Sequence, residues 1–270
     1  MLILAATPIG NLGDASSRLI ETLEQAKVIA AEDTRSLLKL ANHLNTKLSA
    51  ELISLHEHNE MQKLDRLVEI AKSSDLVLVS DAGMPTISDP GFLLVRACSE
   101  AGVEIQVVPG PSAVISALAV SGLATDRFCF EGFLPRKSGE RKKVFQVLAS
   151  ETRTMVFFES PHRILESLTD AAEVFGPIRK ASVSRELTKK FEETKRGTLS
   201  ELQEWAKDQK GEMVLVIAGA APKVWDIDEL VDQVLKLKTD GLGLKQAVST
   251  IAKQYGASSS ELYDQALKRQ

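Results

Sequence analysis

The chain has 270 residues, of which 44% are hydrophobic and 26% charged, with a formal net charge of −4. This composition supports one large domain or two ordinary ones, and it argues against a disordered chain and against a strongly basic coat for nucleic acid. No apolar run reaches the ~20 residues of a membrane-spanning helix, and Met1 to Pro8 lacks the basic start of a secretory signal.

Leu2 to Ala6 is a first strand, running into the loop Thr7-Pro8-Ile9-Gly10-Asn11-Leu12-Gly13-Asp14. Asp14 is expected to cap a helix over residues 15–26, with Leu19, Ile20, Leu23 and Ala26 on its inner face. Val28 to Ala31 is a second strand ending in Glu32-Asp33-Thr34-Arg35, where Thr34 starts a helix to about residue 44. Leu52 to Leu55 is a third strand, and a helix over 61–72 leads to Leu76–Val79. That unbroken apolar run reads as a strand buried on both faces of a parallel sheet. It stops at Ser80-Asp81-Ala82-Gly83, where small residues admit a ligand close to the backbone. Ser88-Asp89-Pro90 reads as a helix start, with Asp89 a cap before a proline at the first helical position. A strand over 103–108 breaks at Pro109-Gly110-Pro111-Ser112-Ala113. Ser112 caps an apolar, buried helix that Gly122 ends.

After Asp126 the texture changes. Strands are expected at 128–134, 154–158, 180–184 and 213–218, with an extended piece at 191–197, helices between them, and neighbouring strands pairing in both directions. Arg136-Lys137-Ser138-Gly139-Glu140-Arg141-Lys142-Lys143 is a basic loop entering a helix. From about Ala221 the chain is helical and polar, with seven Lys and Arg against seven Asp and Glu. Three helices there suggest a helix-turn-helix-like appendage, which could bind nucleic acid or only pack. The expected fold class is α/β, with a parallel-sheet lobe over residues 1–120, a mixed-sheet lobe over 121–222 and a helical tail over 223–270. A ligand cleft is expected between the lobes, at the carboxyl ends of the parallel strands.

Neither G-x-G-x-x-G nor G-x-x-x-x-G-K-[ST] occurs, nor a G-x-S-x-G elbow. The four histidines find no third ligand near His56 and His58, so no metal is expected. Cys98 and Cys129 lie far apart in apolar surroundings, which implies a reduced, cytoplasmic protein. The strand-end loops offer backbone donors and acceptors with little side-chain bulk. They suit a ligand carrying an adenine, a ribose and a zwitterionic tail rather than a pyrophosphate.

The motifs Thr7–Asp14, Val79-Ser80-Asp81-Ala82-Gly83-Met84-Pro85, Ser88-Asp89-Pro90-Gly91, Pro109–Ala113, Glu131-Gly132-Phe133-Leu134-Pro135 and Phe158-Glu159-Ser160-Pro161-His162-Arg163 run in order through the chain. Together they resemble the tetrapyrrole-methylase-fold family, and within it the subgroup of bacterial 16S rRNA (cytidine-2′-O)-methyltransferases, in which a helical tail is also expected. The resemblance spans residues 2–220. It departs at Met84, where the family commonly has Thr, and at Val107, where it commonly has Pro. It implies S-adenosyl-L-methionine in the cleft, a homodimer, and a cytidine ribose of the 16S rRNA decoding centre in the small ribosomal subunit as acceptor. Pro8, Ile9, Gly10, Asp81, Gly83, Met84, Ser112 and Ala113 are implied to line the cofactor, with Phe158 and Ala218 covering its adenine.

A ribose hydroxyl is a poor nucleophile, so its transfer chemistry calls for a base or a cation near the oxygen. The candidates at strand ends are Asp33, Arg35, Glu159, Arg163, Arg185, Glu186 and Lys189, each of which could instead belong to an ion pair bracing two loops. Arg136, Lys137, Arg141, Lys142 and Lys143 are the candidate RNA contacts. Two rival readings are a tetrapyrrole methylase of the same fold, and a non-enzymatic nucleic-acid-binding regulator using residues 224–270.

Overall fold

The computed structural model describes residues 1–221 and 226–269, and the chain divides into two compact units, Met1–Ala220 and Ala221–Gln270. The first unit holds two five-stranded sheets. In the first, β1 (Leu2–Ala5), β2 (Val28–Ala31), β3 (Glu51–Ser54), β4 (Leu76–Val79) and β5 (Ile105–Val108) are all parallel, in the order β3-β2-β4-β1-β5. They are connected by α1 (Ser17–Gln25), α2 (Thr34–His43), α3 (Glu60–Ser73) and α4 (Phe92–Glu100), and α5 (Ala113–Ser121) follows β5. Side chains alternate across the pleat. Leu76 and Leu78 pack with Leu67 of α3 and Leu94 of α4, while Val77 and Val79 pack with Leu19 of α1 and Leu37 of α2. Both faces of β4 are therefore apolar, which is why its sequence does not alternate.

The second sheet comprises β6 (Phe128–Phe133), β7 (Thr154–Glu159), β8 (Lys180–Arg185), β9 (Glu193–Thr198) and β10 (Met213–Ile217), in the order β6-β7-β10-β8-β9. Only the β6–β7 pair is parallel. α6 (Ser138–Val147), α7 (Ile164–Phe175) and α8 (Leu199–Trp205) cover one face, where the Phe145 ring meets those of Phe157 and Phe175. The other face receives α5, whose Val114, Ala117 and Leu118 pack against Val156, Val214 and Val216. α5 thus leaves one sheet and docks on the other. Its outer side stays open, with Ile115 half-exposed.

Several helix starts differ from the expected ones because a neighbouring side chain reaches the free amides first. Leu12–Asp14 is a short 3-10 turn capped by Asn11, and Ser16 rather than Asp14 caps α1. Asp33 rather than Thr34 caps α2. α4 begins at Phe92 behind Gly91, at φ 117°, and Asp89 is not its cap. Arg141 to Lys143 lie within α6, not in a loop.

In the second unit α9 (Ile227–Thr239), α10 (Leu244–Tyr255) and α11 (Ser259–Lys268) enclose their own core of Leu230, Val231, Val234, Val248, Ile251 and Leu262. The expected lobe-to-tail boundary at 222–223 lies outside the described residues. Among the described residues no helix is long and apolar enough to cross a membrane.

Candidate active site

A cavity of about 700 Å³ opens at the carboxyl edge of the first sheet and is closed by the second. β10 runs antiparallel to β7 and β8, so Met213 at its start stands beside Glu159 and Arg185 at their ends. These ends and the loops after β1, β2, β4 and β5 surround one space. The β1 and β4 loops are tied together: the Thr7 amide donates to the Gly83 carbonyl at 2.9 Å, the Gly83 amide to the Thr7 carbonyl at 3.1 Å, and the Thr7 hydroxyl to the Ser80 carbonyl at 3.2 Å. Gly83 has φ 81°, and a Cβ there would sit 3.3 Å from Ile9 and 3.6 Å from the Pro111 carbonyl. Only glycine joins the three loops at this spacing.

One end of the cavity is acidic. Glu32 accepts the Asp81 amide at 3.4 Å, and Asp81 accepts the Asp33 amide at 3.2 Å. Burial raises the carboxyls of Glu32 and Asp81, and it pushes Asp89 up to about 6, with the charges of Glu32 and Asp81 adding to the effect and the Ser80 hydroxyl opposing it. The second lobe supplies apolar surface, together with Glu159, Glu186 and Glu212, each paired with a cation. Phe158 packs against Phe130 and Phe133 at ring distances of 4.9 and 5.3 Å, beside Leu187, Met213 and Val214. A β-bulge at Gly132, φ 70°, interrupts the β6–β7 register and leaves Phe133 61% exposed at the cavity. Carboxylates without a paired cation on the first lobe and aromatic and aliphatic surface on the second fit a molecule with a sulfonium and an ammonium joined to an adenine. The residues present therefore suit S-adenosylmethionine.

Ile9, Asp81, Gly83, Met84, Ser112, Ala113 and Phe158 line this cavity. Pro8, which is buried, and Gly10, which is exposed, do not line it. Gly10 leaves room for the Lys189 side chain, whose Cγ would be 2.5 Å from a Cβ at that position. Ala218 lies past the opposite end of β10, where its carbonyl accepts from Arg179 at 3.2 Å, so it is remote from the cavity. It was implied at the site by the resemblance alone, and the antiparallel course of β10 carries it to the far end of the sheet.

Among the candidate catalytic residues, Glu159, Glu186 and Lys189 line the cavity, and Asp33, Arg35, Arg163 and Arg185 do not. Arg35, 84% exposed, grips Asp33 through two bonds of 3.0 and 2.7 Å and holds its carboxyl down to about 2. The Glu159 side chain is fully buried and engaged by Arg163 at 2.6 Å, the Ser160 amide at 2.7 Å and the Ser167 hydroxyl at 2.5 Å. Arg185 pairs with Glu193 at 2.7 Å. Lys189 bridges Glu186 and Glu212, each at 3.0 Å.

Arg136, Lys137 and Lys143 are exposed, and Lys142 pairs with Glu173 at 2.5 Å. Arg141 departs from the expected RNA contact. It is 0% exposed, with Asp170 at 2.7 Å and the carbonyls of Pro135 and Arg136 at 3.2 and 3.3 Å. Its charge is consumed inside the lobe.

Sequence reasoning passed over Glu32, Phe133, Leu187 and Met213, and assigned Asp89 to a helix cap. For Phe133 a signal existed, since a glycine inside a strand marks a bulge. For Leu187 and Met213 there was none, because their place depends on strand direction. Of the six described non-glycine residues with positive φ, four (Thr86, Ser88, Glu186 and Thr188) fall in two loops beside the cavity. Such strain concentrates at functional sites.

Residues 1–203 match the model of the tetrapyrrole (corrin/porphyrin) methylases, and residues 226–270 match that of the RsmI C-terminal HTH domain. The chain is similar to ribosomal RNA small subunit methyltransferase I of Haemophilus influenzae, with 45% identity over 97% of this chain and 95% of that protein. It is similar to the protein of the same name from Mycobacterium tuberculosis, also at 45% identity, over 99% of this chain and 94% of that one. In fold it is similar to the uroporphyrin-III C-methyltransferase of Thermus thermophilus crystallised with S-adenosyl homocysteine. The TM-score is 0.56 at 17% identity, covering 80% of this chain and 96% of that one.

Proposed function

We infer the activity of this chain from the family to which it belongs, the tetrapyrrole (corrin/porphyrin) methylases. It is an S-adenosylmethionine-dependent methyltransferase of small-subunit ribosomal RNA, and the acceptor is the 2′-hydroxyl of a cytidine in the 16S decoding centre. The observation that carries this reading is the cavity with carboxylates free of cations on one lobe and aromatic and aliphatic surface on the other, in a chain that is similar over nearly its whole length to ribosomal RNA methyltransferases. A tetrapyrrole methylase would share the fold. The match of residues 226–270 to a domain named for the ribosomal RNA enzyme favours RNA.

Bound S-adenosylmethionine supplies an electrophilic methyl carbon on a sulfonium. The protein's part is alignment and exclusion of water. The backbone of Asp81–Met84 and Ser112–Ala113 holds the donor, the carboxylates of Glu32 and Asp81 offset its positive charge, and the Phe158 wall covers the adenine. Lys189, held by Glu186 and Glu212, reaches the acceptor side. Arg136, Lys137, Lys142 and Lys143 meet the RNA backbone, and recognition reads RNA shape within an assembled small subunit. The working form is a homodimer in the cytoplasm, where its substrate is.

The test is methyl transfer from labelled S-adenosylmethionine to small subunits isolated from cells lacking the protein. Label on a cytidine ribose supports the reading, and label on a base or none at all opposes it.

A further inference from the structure

Six carboxylates line the cavity: Glu32, Asp81, Asp89, Glu159, Glu186 and Glu212. Glu159 is occupied by Arg163, Ser160 and Ser167, while Glu186 and Glu212 share Lys189. Glu32 and Asp81 accept backbone amides. Asp89 accepts no backbone amide and has no ion pair among the described residues; the nearby Ser80 hydroxyl, which donates to the Gly83 carbonyl at 3.4 Å, offsets only part of the rise in its carboxyl.

That freedom is built into the fold. Of the two amides that an Asp89 cap would take, those of Gly91 and Phe92, the first is held by Glu60 of α3, whose Oε1 accepts from Gly91 and also from Leu94, both at 3.1 Å. With α4 capped from elsewhere, Asp89 is left facing the cavity. The loop that presents it carries Thr86 at φ 76° and Ser88 at φ 62°. Neither residue adopts such a backbone freely, so the loop is held in shape by its surroundings.

We propose that Asp89 is the general base that accepts the proton of the acceptor ribose hydroxyl. This rests on the methyltransferase reading above. As the hydroxyl proton passes to an Asp89 carboxylate oxygen, the ribose oxygen bonds to the methyl carbon and the carbon–sulfur bond breaks. The sulfonium and carboxylate charges vanish together, leaving the O-methyl ribose, S-adenosylhomocysteine and a neutral carboxylic acid that returns its proton to water. Burial and the neighbouring charges of Glu32 and Asp81 make Asp89 a stronger base than an exposed carboxylate while leaving it ionised at neutral pH. The other titratable groups around the cavity are Glu159, Glu186, Lys189 and Glu212 on the second lobe, all paired, with Arg35 outside acting on Asp81.

The experiment measures single-turnover methylation of small subunits between pH 5 and 9 for the wild type, Asp89→Asn and Glu32→Gln, with S-adenosylhomocysteine affinity and melting temperature measured beside it. The wild-type rate is expected to climb through about pH 6 and then level. Asp89→Asn should lose roughly 10²–10⁴-fold in rate with nearly unchanged cofactor-product affinity, and Glu32→Gln should move the rising limb to lower pH. In the protein alone, Asp89→Asn should raise the melting temperature more at pH 7.5 than at pH 4.5. Transfer by Asp89→Asn close to the wild-type rate would overturn the proposal, as would a limb unmoved by Glu32→Gln. So would a loss of transfer matched by an equal loss of binding, which would make Asp89 a cofactor ligand. If the wild type bound S-adenosylhomocysteine but methylated no ribose, the assigned activity would fail instead, and the melting comparison would still report the ionisation of Asp89.

Discussion

Glu60 accepts the backbone amide of Gly91, 31 residues further along the chain, at 3.1 Å, so α4 is capped by a side chain from α3. The same Oε1 takes the Leu94 amide, and Glu60 itself is 5% exposed. Glu60→Ala would leave two buried amides without an acceptor. It should cost about 1–3 kcal/mol in urea unfolding and weaken S-adenosylhomocysteine binding, because the loop over 84–91 loses its anchor. Glu60→Gln keeps a carbonyl acceptor and should recover most of both. Equal stability of the Ala variant and the wild type would show that the cap is dispensable.

The raised Asp89 carboxyl has a sign in stability. Its folded value of about 6 lies above the reference 3.8. Stability is then fully present below 3.8 and is lost as pH rises through 6, where the ionised carboxylate is disfavoured in the folded state. A shift of that size corresponds to about 3 kcal/mol, and solvent screening of this partly exposed group lowers the expectation to about 1 kcal/mol. Asp89→Asn should therefore stabilise the protein by about that much at pH 7.5, by clearly less at pH 4.5 and by almost nothing below the unfolded value of 3.8. An Asn variant less stable than the wild type at pH 7.5 would contradict the raised value.

Arg141 and its basic neighbours should separate in their effects. Arg141→Ala removes the nearest cation from the buried Asp170 carboxylate, leaving it the Ser138 hydroxyl at 2.8 Å and Lys142 at 3.5 Å, and should cost about 3 kcal/mol. Replacing Arg136, Lys137 and Lys143 with Ala should leave stability within about 0.5 kcal/mol. The triple variant should also flatten the salt dependence of RNA binding, with cofactor affinity unchanged. A triple variant with the wild-type salt slope would remove these residues from the RNA interface.

Much of the fold could be read in the sequence because it is written in local patterns. The Leu76–Val79 run is buried on both faces of a parallel sheet. Ser112 caps α5 and Gly122, at φ 75°, ends it. The loops that line the cavity stand out through small and cyclic residues. What escaped depends on partners distant in sequence. Asp89 followed by Pro90 is locally an ideal cap, and only the approach of Glu60 reverses that role. Arg141 lies in a run of five cations, and nothing nearby shows that α7 brings Asp170 against it. Ala218 was implied at the site by the resemblance, and its actual place follows from the antiparallel pairing of β10, which the β10 sequence does not carry.

The central claim, that the cavity of this chain directs a methyl group to a ribose oxygen of small-subunit RNA, is tested most directly by mass mapping. Small subunits from cells lacking the protein are incubated with purified protein and isotopically labelled S-adenosylmethionine, and the 16S rRNA is digested and sequenced by mass. The predicted result is one added methyl, on the 2′-oxygen of a cytidine in the decoding centre. An unmodified RNA, or a methyl found on a base, would contradict the account.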